Sequence, residues 1–130
     1  MGAFEIAYYG WGEGAGHKFY GPNNIPDLWA IKKIPPQLME HLTQKPVELA
    51  VRALEYSSVP DERVLDWFGG SGSTLIAAEQ TGRRAYLMEL DGCYSDLTVD
   101  SWQRFTGRQA ILARTGESPI PMKPREKDMR

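Results

Sequence analysis

The spacing of hydrophobic residues predicts alternating helices and strands in the central part of the chain. In residues 46–57, apolar side chains recur at positions 47, 50, 51 and 54, which lie on one face of a helix. The segment 63–67, RVLDW, is too short for a helix and predicts a buried strand. A glycine-rich turn at 69–73 precedes a second helix at 74–81, and a strand at 84–90 leads to Asp91, a plausible N-cap. The helix that follows Asp91 ends near Gly107.

A third strand is predicted at 109–113, and it completes the order helix, strand, helix, strand, helix, strand. Alternation of this kind predicts parallel strands joined by crossover helices, which is an α/β fold. Parallel sheets of this type bind ligands beyond the carboxyl ends of their strands. The glycine-rich turn is expected at that edge of the sheet.

The N-terminal third has strand-like patterns instead. Residues 4–9 predict a strand, the glycines between 10 and 16 predict a turn, and residues 17–20 predict the returning strand of a β-hairpin. A short edge strand is expected within 27–32, before Pro35-Pro36 ends regular structure. The expected parts are an N-terminal hairpin and loop (1–40), an α/β core (41–113) and a disordered polar tail (114–130).

Composition narrows the class of protein. The chain has 130 residues, of which 42% are hydrophobic, which is enough for one core. A net charge of -2 argues against coating nucleic acid by bulk electrostatics, so any DNA contact needs a local basic surface. The lone cysteine, Cys93, and the lack of a secretory signal predict a cytoplasmic protein. No apolar run is long enough to span a membrane, so no membrane partner is predicted. His17 and His41 lack neighbours at metal-ligand spacing, so no metal is predicted.

The strongest chemical signal is the segment 66–74, DWFGGSGST, where a strand runs into a glycine-rich turn. Glycines let the backbone approach a ligand, and the free N–H groups at the helix start favour a polar or anionic group. Ser73 stands where an ATPase phosphate loop needs lysine, and Leu75 stands where a dinucleotide-binding loop needs a third glycine. Glu89, at the end of the next strand, can accept both ribose hydroxyls of an adenosine cofactor. An ordinary tight turn stays open as an alternative from these residues alone.

Several motifs together resemble those of DNA adenine-N6 and cytosine-N4 methyltransferases. Residues 66–74 are similar to the Asp-Pro-Phe-x-Gly-Ser-Gly-x-Thr cofactor motif, and residues 41–49, HLTQKPVEL, are similar to the His-Pro-Thr-Gln-Lys-Pro-x-Glu-Leu motif. Residues 82–94 resemble the family's acidic strand end, and residues 9–17 resemble a stretch of related prophage-type enzymes. The resemblance implies a partial Rossmann-like methyltransferase fold, with a mainly parallel sheet, flanking helices and the N-terminal β-hairpin.

The resemblance also implies a binding site for S-adenosylmethionine. Its implied residues are Thr43, Gln44, Lys45, Pro46, Asp66, Phe68, Gly70, Ser71, Gly72, Glu89, Leu90 and Asp91. Lys45 is expected to pair with the cofactor's carboxylate, and Glu89 to hold the ribose hydroxyls. The methionine and ribose region is expected to be lined by Asp66, Phe68, Gly70, Ser71 and Gly72. Leu90 and Asp91 are expected beside the adenine. Leu42, Trp67 and Gly92 replace family prolines, which reduces rigidity around the pocket.

One family motif is absent, the Asp/Asn/Ser-Pro-Pro-Tyr/Phe sequence that holds the base flipped from the duplex. The Pro35-Pro36 pair lies between Ile34 and Gln37 and cannot replace it, so no catalytic residue is predicted. In the permuted order this motif belongs upstream. We therefore expect a cofactor-binding portion of a DNA amino-methyltransferase, truncated at its N-terminus and inactive alone.

The resemblance implies partners as well. Double-stranded DNA is the substrate of full-length members, and an upstream catalytic segment is expected to complement this chain. The strand at 63–67 is expected to have an unpaired edge, which permits self-association. A non-catalytic binding module with this fold and a nicotinamide-cofactor-binding fragment remain alternatives, and neither the DNA target sequence nor the choice between adenine and cytosine can be read from the residues.

Overall fold

The computed structural model describes residues 4–35 and 45–120, and regular secondary structure lies in the second of these ranges. In chain order the elements are α1 (Val47–Ser57), β1 (Arg63–Asp66), α2 (Ser73–Thr81), β2 (Arg84–Leu87) and α3 (Gly92–Thr106). β1 and β2 form a parallel pair in which Leu65 lies opposite Tyr86. The predicted α/β architecture, a parallel sheet with flanking helices, is confirmed in this two-stranded form.

Local capping signals set the helix boundaries. Asp91 is the N-cap of α3, and its carboxylate accepts the N–H of Cys93 at 2.8 Å. α2 and α3 end at Gly82 and Gly107, which adopt the left-handed conformation expected of a C-terminal glycine. Pro46 directly precedes α1, where its missing N–H leaves no helical bond unmade.

The core lies on one side of the sheet. Leu54 of α1 and Ala77 and Ala78 of α2 are buried, and Val64 and Ala85 of the strands pack against them. The alanines let the two helices pack closely because they carry little volume. α3 packs beside α2 on the same side of the sheet. Residues of α3 line a pocket together with Leu87 of β2.

The opposite side of the sheet is largely uncovered by the described residues. Leu65 and Tyr86, paired across the two strands, are 54% and 53% exposed, and Trp67 and Met88 at the carboxyl end are exposed to a similar degree. Parallel sheets are normally covered by helices on both faces. We call the surface formed by Leu65 and Tyr86 and continued by Trp67 and Met88 the bare face.

The predicted N-terminal β-hairpin and the edge strand at 27–32 are wrong, because residues 4–35 contain no strand. The chain does turn back, with the Ala15 N–H donating to the Gly12 carbonyl at 3.0 Å. Ring contacts join the segments on the two sides of this turn. Trp11 stacks on His17 with centroids 4.3 Å apart, and Tyr9 contacts the His17 ring edge-on. The alternating glycines offer no side chains for cross-strand pairs and lose much entropy on ordering, so ring packing replaces a backbone ladder.

The predicted third strand at 109–113 is also wrong, because its backbone donors are used locally. Gln103, a buried side chain of α3, accepts the Ala110 N–H at 2.8 Å, and the Leu112 N–H donates to the Glu117 carbonyl at 2.7 Å. The Gln103 amide also donates to the Ile120 carbonyl at 3.2 Å. These bonds organise the first residues of the expected polar tail as a turn. The division into parts 1–40, 41–113 and 114–130 stays a prediction.

Arg83 joins the end of α2 to the end of α1, and its loss should destabilise the fold. Its guanidinium donates to the Ser58 hydroxyl and carbonyl, at 3.2 and 2.7 Å, and to the Thr81 carbonyl. We expect Arg83→Met to lower the free energy of unfolding by roughly 1–3 kcal/mol, because buried acceptors lose a charged donor. Urea unfolding followed by circular dichroism measures this change.

The neighbouring Arg84→Met is the matched control. Arg84 is exposed and contacts Asp61 at 3.7 Å, so its loss should change the unfolding free energy by less than about 0.5 kcal/mol. Equal losses for the two variants would show that the contacts of Arg83 contribute nothing specific.

Candidate cofactor site at the glycine-rich turn

The turn between β1 and α2 requires glycine at two positions. Gly70 and Gly72 have φ angles of +54° and +83°, which residues with a Cβ rarely adopt. At Gly72 there is also no room, since a Cβ would lie 2.7 Å from Cγ2 of Thr98 on α3. The turn is therefore built against α3, and α3 forms one wall of the site.

Asp66 organises the turn from the end of β1. One carboxylate oxygen accepts the Phe68 N–H at 3.0 Å, and the other accepts the Thr74 hydroxyl at 2.6 Å. These bonds connect the strand end to the first turn of α2. The structure thus gives Asp66 a role in shaping the site, and its predicted contact with a cofactor stays a prediction.

Glu89 follows β2 and bridges the turn and α3. Its Oε2 accepts the Gly70 N–H at 2.8 Å, and its Oε1 accepts the Asp91 N–H at 2.9 Å. The hydrogen bonds from the Asp91 and Gly70 backbones hold the pKa of Glu89 below its ordinary value, so the carboxylate stays ionised. A carboxylate has about four lone-pair positions, so Glu89 retains acceptor capacity for ligand hydroxyls.

A small pocket opens beside Glu89, between the turn and α3. Its lining consists of Gly69, Leu87, Glu89, Ser95, Thr98 and Val99. The cavity volume of about 160 Å³ is below the roughly 300–1,000 Å³ of typical small-molecule sites. It has room for one part of a nucleoside cofactor, and the remainder would lie on the surrounding exposed surface.

The structure brings together some of the predicted site residues. Gly70 and Glu89 are directly bonded, with Gly72 in the same turn, and Asp91 is both the N-cap of α3 and a donor to Glu89. Ser71 lies between the two glycines. Phe68 is 88% exposed and Leu90 is fully exposed, so both side chains are open to a ligand.

Lys45 and Pro46, two further predicted residues, lie directly before α1. Lys45 forms an ion pair with Glu5, with Nζ 2.5 Å from Oε2, and both side chains are exposed. Pro46 is the residue before α1. Thr43 and Gln44 lie outside the described residues, so their place in the site stays a prediction.

Sequence reasoning missed the contribution of α3. Ser95, Thr98 and Val99 line the pocket, and the Thr98 hydroxyl donates to the Gly70 carbonyl at 3.0 Å. A spacing of three and four residues places these side chains on one helix face, next to the end of the second strand. That spacing could have indicated that the three side chains lie together, but it does not reveal which face of α3 contacts the turn.

In residues 4–35 and 45–120, no helix is long and apolar enough to cross a membrane. Over the same ranges, no three His, Cys, Asp or Glu side chains form a group that could hold a metal ion. Cys93, near the start of α3, is exposed.

Comparisons with known proteins identify relatives of the chain. A family model described as DNA methylase, N6_N4_Mtase, matches residues 15–100. The type II methyltransferase M1.MboII of Moraxella bovis is 47% identical over 45 residues, or 35% of this chain and 17% of the relative. The DNA adenine methyltransferase YhdJ of Escherichia coli (strain K12) is 34% identical over 73 residues, or 56% of this chain and 25% of the relative.

A solved structure shows the same fold. The crystal structure of the M1.HpyAVI-SAM complex matches with a TM-score of 0.53 and 29% identity, over 62% of this chain and 40% of that chain. This chain therefore spans a quarter or less of the length of the two curated relatives and under half of the solved one.

Neutralising Glu89 should destabilise the fold in a pH-dependent way. Because its pKa is lowered in the folded state, the ionised group stabilises the fold above its unfolded pKa of about 4.3. That contribution is lost as the pH falls through the lower, folded-state pKa. We expect Glu89→Gln to reduce the unfolding free energy near neutral pH, and the difference from the wild type to shrink as the pH falls through that lower, folded-state pKa.

Urea unfolding at a series of pH values measures this difference. Glu55→Gln is the control for the loss of a carboxylate, because Glu55 is exposed on α1. A destabilisation by Glu89→Gln that is constant across the series would argue against an ionised bridge.

Proposed function

We propose that this chain is the S-adenosylmethionine-binding portion of a DNA amino-methyltransferase that acts on adenine N6 or cytosine N4. The premise is that the chain belongs to the N6_N4_Mtase family of DNA methylases. The observation that carries the proposal is the bridge from Glu89 to Gly70, beside a pocket at the carboxyl edge of two parallel strands. This edge is where parallel α/β sheets bind nucleoside ligands.

The residues of the site fit the parts of this cofactor. Glu89 has acceptor positions left for ribose hydroxyls, and Leu87 and Val99 give the pocket apolar walls for a sugar or an adenine edge. Exposed Phe68 and Leu90 offer apolar contact beyond the pocket. When bound, S-adenosylmethionine supplies the methyl group, and the chain's own residues bind and orient the cofactor.

Lys45, with Thr43, Gln44 and Pro46, is proposed to receive the methionine carboxylate. In the structure Lys45 is paired with Glu5, and both side chains are exposed. Exposed ion pairs contribute only about 0–1 kcal/mol, so exchanging Glu5 for a ligand carboxylate costs little. The ion pair with Glu5 is therefore compatible with binding of the methionine carboxylate by Lys45.

Methyl transfer needs more than these residues supply. The target base must be flipped from double-stranded DNA, and its amine must be oriented by an Asp/Asn/Ser-Pro-Pro-Tyr/Phe motif, which this sequence lacks. We propose that a second polypeptide segment carries that motif and that this chain alone is inactive. The cytoplasm is the proposed compartment, because the DNA is there and a free thiol such as that of Cys93 stays reduced there.

The bare face is the proposed surface for that partner segment. Leu65 and Tyr86 leave an apolar strip that a helix would cover, as in other parallel sheets. Arg63 and Arg84 lie opposite each other at the amino end of the strip, so acidic residues on the covering helix would relieve their repulsion. Without the partner, this face and the strand edges that residues 4–35 and 45–120 leave unpaired provide a route to self-association.

Cofactor binding is the first test of the proposal. In calorimetric titrations we expect S-adenosylmethionine and S-adenosylhomocysteine to bind and NAD not to bind. Glu89→Ala should weaken binding by at least about tenfold, because each charge-assisted bond contributes roughly 1.5–3 kcal/mol. The control is Glu55→Ala on the exposed side of α1. Unchanged affinity in Glu89→Ala would remove the ribose assignment, and binding of NAD alone would favour a nicotinamide-binding fragment.

Methyl transfer to DNA is the second test. Radiolabelled transfer to mixed-sequence duplex DNA should stay at background for the purified chain, because the alignment of amine and methyl group, worth roughly 7–11 kcal/mol, is missing. Transfer should rise when a polypeptide carrying the missing motif is added. Leu65→Glu on the bare face should prevent that rise, whereas Glu55→Gln should not. Transfer by the chain alone would contradict the proposed division of roles.

A further inference from the structure

Gly70 is held at both of its backbone polar groups. Its N–H donates to Glu89 at 2.8 Å, and its carbonyl accepts the Thr98 hydroxyl at 3.0 Å. The first partner follows β2 and the second lies in the middle of α3, so the two anchors reach the turn from different elements. A glycine held in this way loses the rotational freedom that its missing side chain would otherwise allow.

The bond from Thr98 also determines where the next donor points. The carbonyl and N–H of a trans peptide point in opposite directions. Because Thr98 holds the Gly70 carbonyl toward α3, the Ser71 N–H points away from α3. Among the described residues, the Ser71 N–H donates to no backbone or side-chain acceptor, so it is available to a ligand.

The methyl group of Thr98 supports the same turn. Its Cγ2 lies 2.7 Å from the position that a Cβ would take at Gly72, so it packs against the bare glycine backbone. One side chain therefore bonds Gly70 through its hydroxyl and packs on Gly72 through its methyl group. Valine would keep the packing without the hydrogen bond, and serine would keep the hydrogen bond without the packing.

From this geometry we propose that Thr98 is a positioning residue of the cofactor site, which acts by orienting the Gly70–Ser71 peptide so that the Ser71 N–H can donate to the ligand. The proposal rests on the proposed function, because S-adenosylmethionine is taken as the ligand. Without the hydroxyl, the peptide would have to be ordered at the moment of binding, and that ordering reduces affinity.

The test compares Thr98→Val with Thr98→Ser by calorimetric titration of S-adenosylmethionine and S-adenosylhomocysteine. We expect Thr98→Val to bind roughly 3- to 10-fold more weakly, as for the loss of one neutral hydrogen bond, and Thr98→Ser to stay within about twofold of the wild type. Thr81→Val is the matched control, since it removes a hydroxyl that donates to the Ala77 carbonyl at the far end of α2. Its affinity should equal that of the wild type.

A second readout does not depend on the ligand. In amide NMR spectra of the ligand-free chain, the Ser71 resonance should shift or broaden in Thr98→Val and stay in place in Thr98→Ser. Both variants should keep melting temperatures close to that of the wild type.

The outcomes separate this proposal from the proposed function. If the wild type binds and Thr98→Val binds equally well, the positioning role is overturned and the proposed function stands. If binding and melting temperature fall together in Thr98→Val and Thr98→Ser, Thr98 serves only packing and the proposal is overturned. If the wild type binds neither compound, the proposed function fails, and the cofactor role of Thr98 fails with it.

Discussion

The carboxylate of Glu89 joins the parts of the site that the chain keeps apart in sequence. It accepts N–H groups from Gly70 in the turn and from Asp91 at the start of α3. The bond to Gly70 requires the ends of β1 and β2 to lie side by side, which the parallel register provides. The negative charge is stabilised by those donors, so one ionised group both organises the pocket and faces it.

The described helices cover one face of the two-stranded sheet. Leu54, Ala77 and Ala78 form a small core between the helices and the inner face of the strands. On the outer face, Leu65 and Tyr86 remain half exposed, although the strands themselves are paired as in a layered α/β sheet. The pocket proposed for the cofactor and the apolar surface proposed for a partner thus belong to two distinct surfaces of one small sheet.

Predictions from the sequence succeeded where the signal is local. Asp91, Gly82 and Gly107 end or begin helices through their own side chains or backbone angles, so neighbouring residues suffice to identify them. They failed where packing competes with a local pattern. The glycine-rich N-terminal segment folds back through ring contacts, and buried Gln103 captures a backbone donor of the predicted third strand.

For the candidate site, the sequence by itself determined the glycine-rich turn, the acidic residue after the second strand and the family resemblance, because each is encoded by a short run of residues. Only the tertiary structure decided that Glu89 bonds Gly70, that Asp66 holds the turn and that Thr98 supplies its second anchor. Those contacts join residues 8 to 28 positions apart. Their existence depends on strand register and on which helix face meets the turn, and both are set by packing of the whole domain.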